Sequence, residues 1–281
     1  MNKHIFVIMR MSVISKEMQG TWLAGKDEFN NYVSKILDNE RLDQHFKLFE
    51  DIALASLLNQ NNFDINKNLT LIILTTNRLN SIYKEKLHGY CDTYSWIKVS
   101  YLNDDCALKD YNNLLIEEVK EITNSTKKGT LFATVRLDDD DALSVNFCQK
   151  LSQYLDKSFI GFGYACPRGV VGFLNNLNKF ESFHQYYATN IALGLSFINY
   201  YAYSKQKFHS RYISVYDLGS HTKVDRVVPV ITDATYLSYL RTRHIDSDSD
   251  SEARVQKDKK NPMIRNDIVM KNIYFNKILL D

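Results

Sequence analysis

The chain has 281 residues, 44% hydrophobic and 24% charged, close to the globular averages of ~45–50% and ~25%, so disordered, collagen-like and disulfide-dense miniprotein classes are excluded. Its 35 basic and 33 acidic residues leave a formal charge of +2, which does not mark a dedicated nucleic-acid binder. The length fits one large domain. Cys91, Cys106, Cys148 and Cys166 show no paired short spacing, so they read as reduced thiols of a cytoplasmic protein rather than a zinc ribbon or redox motif. Met1–Ser15 lacks the apolar core and cleavage site of a signal peptide, and no run approaches the ~18 apolar residues of a membrane span.

In chain order, His4–Met9 is a continuous apolar run, as expected of a strand buried on both faces, and Arg10 stands at its end. From Arg41 to Leu58, Leu42, Phe46, Phe49, Ile52, Ala53 and Leu57 recur at three- and four-residue steps and predict a helix. Leu69–Thr75 is a second strand, Leu79–Leu87 a short helix, Trp96–Tyr101 a third strand, Ala107–Ile122 a helix and Thr130–Val135 a fourth strand. This alternation predicts an α/β fold with a parallel sheet. Further on, Leu143–Leu155 reads as a helix, and Phe159–Tyr164 with Gly169–Leu174 reads as a hairpin around Cys166-Pro167-Arg168. No linker or repeat divides the chain, so residues 1–281 are expected to form one domain. It would have a parallel α/β half, 1–143, and a loop-rich antiparallel half, 144–281, with a flexible loop at 245–260.

The dominant feature is Arg136-Leu137-Asp138-Asp139-Asp140-Asp141-Ala142-Leu143, where a buried strand runs into four consecutive carboxylates. In extended backbone Asp138 and Asp140 share a side and Asp139 faces away. Carboxylates ~6 Å apart repel by roughly 3 kcal/mol at an effective dielectric of about 20, so a cation is expected among them. Hard Mg²⁺ or Mn²⁺ fits, since Mg²⁺ is commonly held by one or two protein carboxylates together with substrate phosphates. The cluster also falls at the carboxyl end of a strand, where open α/β sheets bind ligands. One aspartate, Asp141 by position, is expected to cap the helix that begins near Ala142.

Arg136–Leu143 resembles the acidic motif of the "putative rhamnosyltransferase" family, a group of bacterial GT-A-type glycosyltransferases. Arg41–Gln60 and Leu69–Leu79 resemble the family's early helix and second strand, and Gly219–Val224 and Arg241–His244 its two late histidine segments. The resemblance implies a GT-A-like, Rossmann-type, mostly parallel sheet with helices on both faces. It also implies a metal-dependent transfer of sugar from a nucleotide-sugar donor to a glycan or lipid-linked glycan acceptor, as in bacterial surface polysaccharide synthesis. On that implication Asp138 and Asp140 ligate Mn²⁺ or Mg²⁺, His244 or, second, His221 completes the metal shell, and Arg136 and Asp139 join Asp138 at the donor.

Other candidates come from position. Arg10 and Arg78 follow the first two strands, where a nucleotide docks, and guanidinium pairs with phosphate or stacks on a base; Thr76 adds a hydroxyl there. Asp217, Asp225 and Asp233 are unranked candidates for the base that would deprotonate an acceptor hydroxyl. Asp246–Glu252 lacks the Gly and Glu of a calcium loop and reads as a flexible polar loop, with a lid just after His244 as its functional alternative. Exposed tyrosines after Asn178 suit sugar stacking, and the basic tail from Lys257 to Arg265 suits a peripheral contact with an anionic membrane. Two other readings compete: a metal-dependent phosphohydrolase or nuclease, whose carboxylates usually come from several strands, and a non-catalytic glycan-binding protein of the same fold.

Overall fold

The structure, a computed structural model, describes residues 1–16, 28–244 and 252–280. At its centre lie four parallel strands, β1 (Asn2–Arg10), β2 (Leu69–Thr76), β3 (Ile97–Leu102) and β4 (Thr130–Asp138), in the order β3-β2-β1-β4. The continuous apolar runs arise because both faces are covered. Ile5, Val7 and Met9 of β1 join one core, whereas Phe6 and Ile8 join the other.

Among the helices, α1 (Phe29–Ile36), α2 (Asn39–Leu48), α3 (Ala55–Leu58) and the short α4 (Ile65–Asn68) lie between β1 and β2. The sequence periodicity does not anticipate α1, which buries Tyr32, Val33 and Ile36 beside Ile14. Between α2 and α3 the predicted helix continues through a π-helical turn, Phe49–Leu54. α5 (Ser81–Thr93) follows β2 on the same face as α2, through Tyr83 and Leu87. After β3, a 3-10 turn at Leu108–Asn112 leads into α6 (Asn113–Thr126), which packs Leu115 and Val119 on the opposite face. The chain therefore changes faces between β1 and β4, and this is the topological switch point at which such sheets bind ligands. Arg10 and Asp138 are register partners there, at the carboxyl ends of both strands.

β4 turns into β5 (Ala142–Leu143), so the helix expected from Leu143 begins later, as α7 (Phe147–Gln153). β5 is claimed by a second sheet before the helical period can start. β6 (Gly163–Ala165) and β7 (Arg168–Leu174) are not the predicted hairpin, because they part at Pro167 into different sheets. β6 extends the main sheet, antiparallel to β9 (Ser196–Ala202), which itself runs against β4 and carries the two-residue β10 (Lys207–Phe208). β11 (Val230–Thr232) closes that edge, parallel to β6. β7 instead pairs with β8 (Phe180–Tyr187) and with β12 (Tyr239–Arg243), giving a second sheet ordered β5-β12-β7-β8. Its core of Ala142, Val170, Phe180, Phe183 and Leu240 is covered by Val269 of α9 (Asn266–Asn272) and by Ile273 and Phe275. The acidic turn is thus the junction of the two sheets.

Of the expected 245–260 loop and lid, residues 245–251 lie outside the described residues, and Glu252–Lys259 forms a helix, α8. No described helix is long and apolar enough to cross a membrane. A simple test of the two-faced core is Ile73→Ala in β2, where the side chain is fully buried. Urea denaturation should show a loss of about 2–5 kcal/mol, the usual cost of removing a large aliphatic core group.

Candidate functional site

The acidic turn sorts its carboxylates by alternation: Asp139 and Asp141 are buried, whereas Asp138 and Asp140 are partly exposed to the cleft. Each meets a different neutralising partner. Asp138 Oδ1 lies 3.7 Å from an Arg10 guanidinium nitrogen and 3.9 Å from Arg136 Nε. Asp140 Oδ2 lies 2.9 Å from His244 Nε2, brought there by β12. Burial alone would raise the Asp140 pKa, but the hydrogen bond and charge of His244, with the charge of His45, hold it below its ordinary value.

Asp139 Oδ2 is 2.8 Å from His45 Nδ1, on α2, and both side chains are buried. Burial works against charge on His45, yet the Asp139 carboxylate outweighs it and holds the imidazole pKa above 6.5. His45 escaped notice in the sequence, although a signal existed: Leu42, His45, Phe46 and Phe49 share one helical stripe, so a histidine in that core stripe needs a buried partner.

Asp141 does not cap a helix. Its Oδ1 accepts from the backbone N–H of Thr242 at 2.8 Å, tying the turn to β12. Burial, reinforced by the neighbouring Asp140 and Asp138, pushes its pKa well above the ordinary value, so it is the carboxyl that resists ionisation. The same helical region that carries His45 also braces the far side of the turn. Ser56 Oγ accepts from Leu143 N–H at 3.3 Å, Gln60 Nε2 donates to Ser144 O at 2.9 Å, and Gln60 Oε1 accepts from Cys148 N–H at 3.0 Å. The intervening π turn shifts the helical phase, a device common at functional sites.

Arg10 and Arg136 both lie over the ring of Tyr216, each guanidinium carbon 5.5 Å from its centroid. Tyr216 was not anticipated as a site residue. It sits on the 3-10 turn Val215–Leu218, which Asp217 holds in place: Oδ2 accepts from Ile213 and Ser214 N–H at 2.7 and 3.0 Å, and Oδ1 accepts from Asn112 at 2.8 Å. Asp217 is therefore a brace for Tyr216 rather than a free base. Asp233 is likewise committed: Oδ1 accepts from the Thr235 N–H and hydroxyl, and Oδ2 from Tyr164. Asp225 is exposed, with one oxygen accepting from Asn190 Nδ2 at 3.1 Å.

His221 Nδ1 lies 2.6 Å from the Asn190 carbonyl oxygen. A carbonyl only accepts, so Nδ1 carries the proton and Nε2 keeps its lone pair in the neutral ring. Burial keeps that ring below its ordinary pKa, and the charges of Arg136, Asp138 and Arg241 all reach it. Arg241, a residue outside the sequence-derived set, donates to Tyr186 OH at 3.2 Å. At the end of β2, Arg78 pairs with Asp104 at 3.1 Å, and the buried Thr76 Oγ1 accepts from Arg78 N–H at 3.2 Å. These two form a separate group from the acid turn.

Among the described residues no three His, Cys, Asp or Glu side chains converge into a complete metal cage. The turn does offer the carboxylate oxygens of Asp138 and Asp140, with the imidazole of His244 in contact with Asp140. This set fits an ion held by few protein ligands and completed by substrate phosphates.

The sequence matches the family model described as "Putative rhamnosyl transferase" over residues 4–256. A search of curated proteins finds no match. Among solved structures, that of S. aureus TarS 1–349 is similar at 12% identity and a TM-score of 0.38, covering 85% of this chain and 60% of TarS 1–349. A "Putative Glucose-1-Phosphate Thymidylyltransferase" from Bacillus anthracis, in complex with a sucrose, is similar at 10% identity and a TM-score of 0.39, covering 91% of this chain and 93% of that one. Likenesses at this level carry no inference about the site.

The His45–Asp139 pair generates a pH prediction. A histidine whose pKa is raised on folding contributes stability that is complete below ~6.5 and is lost as pH rises through the folded value. Wild-type denaturation midpoints should therefore fall as pH rises above 6.5, and His45→Gln should flatten that dependence. At pH 6 the variant should be destabilised by about 3–5 kcal/mol, the cost of leaving a buried charge unpaired. Equal pH slopes in the two proteins would refute the pairing.

Proposed function

The chain belongs to the "putative rhamnosyl transferase" family, which its match over residues 4–256 establishes, and from that membership we propose a glycosyltransferase that takes its sugar from a nucleotide-sugar bound at the β1/β4 switch point. The observation that carries this reading is the meeting there of Arg10, Arg136 and the Asp138–Asp141 turn. A nucleotide-sugar needs its diphosphate positioned and its leaving charge stabilised, and guanidinium forks fit phosphate oxygens.

In this reading Arg10 and Arg136, stacked on Tyr216, receive the diphosphate. Asp138 keeps the two guanidiniums from repelling each other. The 3.7 and 3.9 Å separations are looser than the ~2.7–2.9 Å of a tight charge-assisted bond, so Asp138 grips neither guanidinium closely. Asp138, Asp140 and His244 would hold Mn²⁺ or Mg²⁺, with His221 as the further candidate. A bound divalent ion supplies positive charge against the charge that builds on the departing diphosphate. Thr76 and Arg78, at the end of β2, are assigned to the nucleoside end of the donor.

For the acceptor step, an inverting transfer requires a base for the acceptor hydroxyl proton. With Asp217 and Asp233 committed to internal hydrogen bonds, Asp225 is the proposed carboxylate. Surface polysaccharide synthesis, with a glycan or lipid-linked glycan as acceptor, is the proposed setting, and the four free cysteines suit a reducing cytoplasm.

Calorimetric titration with a panel of nucleoside diphosphates, with and without Mn²⁺, tests this. At least one diphosphate should bind, and more tightly with Mn²⁺. Arg136→Ala should weaken binding about 10- to 100-fold, matching ~1.5–3 kcal/mol for a hydrogen bond to a charged group. Asp140→Ala should abolish the Mn²⁺ enhancement. If no nucleoside diphosphate binds under either condition, the reading is wrong.

A further inference from the structure

A cavity of about 640 Å³ lies away from the switch point, on the second sheet, between the ends of β7 and β8 and the segment from α8 to α9. That volume falls inside the ~300–1,000 Å³ typical of small-molecule sites. It exists because the C-terminal segment is laid along the edge strand: Gln185 N–H donates to Pro262 O and Ile264 N–H to Phe183 O, each at 2.8 Å. The backbone is satisfied by this pairing, and side chains alone shape the space.

Its lining has two characters. Tyr186, Tyr187 and Met263 present ring and thioether surface, with Tyr187 64% and Met263 70% exposed. Arg168, Lys257 and Arg265 bring cations. The carboxylate in the lining, Asp258, is spent on Arg243 at 2.6 Å with both side chains buried, and Arg265 shares its charge with Asp267. Arg168 donates to the neutral Ala234 carbonyl and so keeps its charge. The balance at the cavity is positive beside stiff, wet aromatic rings.

Two links join the cavity to the acidic turn. Tyr186 accepts from Arg241, and the next residue along β12, Thr242, donates its N–H to Asp141. Arg243, the residue preceding His244, ties the end of β12 to Asp258 of α8, one wall of the cavity. A ligand in the cavity is therefore joined to the segment that holds the turn through two side chains on either route, Tyr186 and Arg241 or Asp258 and Arg243.

We propose that this cavity is the acceptor subsite, and that the acceptor is a glycan bearing an anionic group, its sugar face on Tyr187 and its anion met by Arg168 and Lys257. The assignment of an acceptor role rests on the glycosyltransferase reading above. Aromatic rings with an apolar face and a wet edge hold sugars, and cations at a partly enclosed wall select for negative charge.

The test uses the full chain and three saccharide probes in calorimetry: maltotriose, maltotriose phosphate and trigalacturonate, with phosphatidylglycerol vesicles as a fourth arm. The charged saccharides should bind at least tenfold more tightly than maltotriose, and the phosphate and carboxylate arms tell which anion is preferred. Lys257→Glu should remove that tenfold preference, and Tyr187→Ala should weaken all three saccharides. Both residues are exposed, so both variants should keep the wild-type Tm and unchanged nucleoside diphosphate binding. The proposal is overturned if charged and neutral saccharides bind alike, if none binds, if Lys257→Glu changes nothing, or if vesicles bind and saccharides do not. Saccharide binding without any nucleoside diphosphate binding would instead sink the glycosyltransferase reading while leaving an anionic-glycan site.

Discussion

Four carboxylates in succession cannot share one environment, and the architecture around residues 138–141 is arranged by that constraint. At close spacing each pair costs several kcal/mol unless a cation, a hydrogen bond or a proton intervenes. Each aspartate meets its own remedy: two arginines at Asp138, His45 at Asp139, His244 at Asp140, and for Asp141 a backbone N–H together with a raised pKa. The partners come from β1, β4, α2 and β12, so folding the chain correctly and neutralising the turn are one event. The turn is consequently rigid on its buried side and polar on its cleft side.

That division explains what could be read from the sequence. Buried parallel strands announce themselves as continuous apolar runs, and β1, β2 and β4 lie where those runs are. Asp138 and Asp140 do share the less buried side, as expected, but β4 ends at Asp138, and Asp139 and Asp140 form a turn, so their directions come from the turn and its partners and not from strand alternation. Sheet membership was not readable. Gly163–Ala165 and Arg168–Leu174 look alike as short apolar strands around a turn, yet they go to different sheets, since partner choice is decided by non-local packing. The same holds for Ala142–Leu143: helical spacing from Leu143 onward is genuine, but β12 captures the first residues as a strand.

The candidate site residues divide in a similar way. Asp138, Asp140, His244, Arg10 and Arg136 were legible as types suited to phosphate and metal chemistry, and the fold gathers them. Asp217 and Asp233 were legible as acids only. Their work depends on which N–H groups surround them, and both are enclosed by backbone and hydroxyl donors. Tyr216 was invisible because nothing local distinguishes a tyrosine that will lie beneath two guanidiniums from one that will fill a core.

Tyr216 also shows why the arginine pair and the acid turn belong to one device. Two guanidiniums each 5.5 Å from the same ring would repel without an anion between them, and Asp138 is that anion at rest. In the proposed reading a diphosphate would meet the same two guanidiniums, while Asp138, Asp140 and His244 would hold a divalent ion that supplies positive charge beside it. Donor and ion would then share one carboxylate, Asp138, and any effect of either on the other's binding would be reciprocal. The near-zero net charge of the chain conceals this site, because it is made of opposite charges held a few ångströms apart.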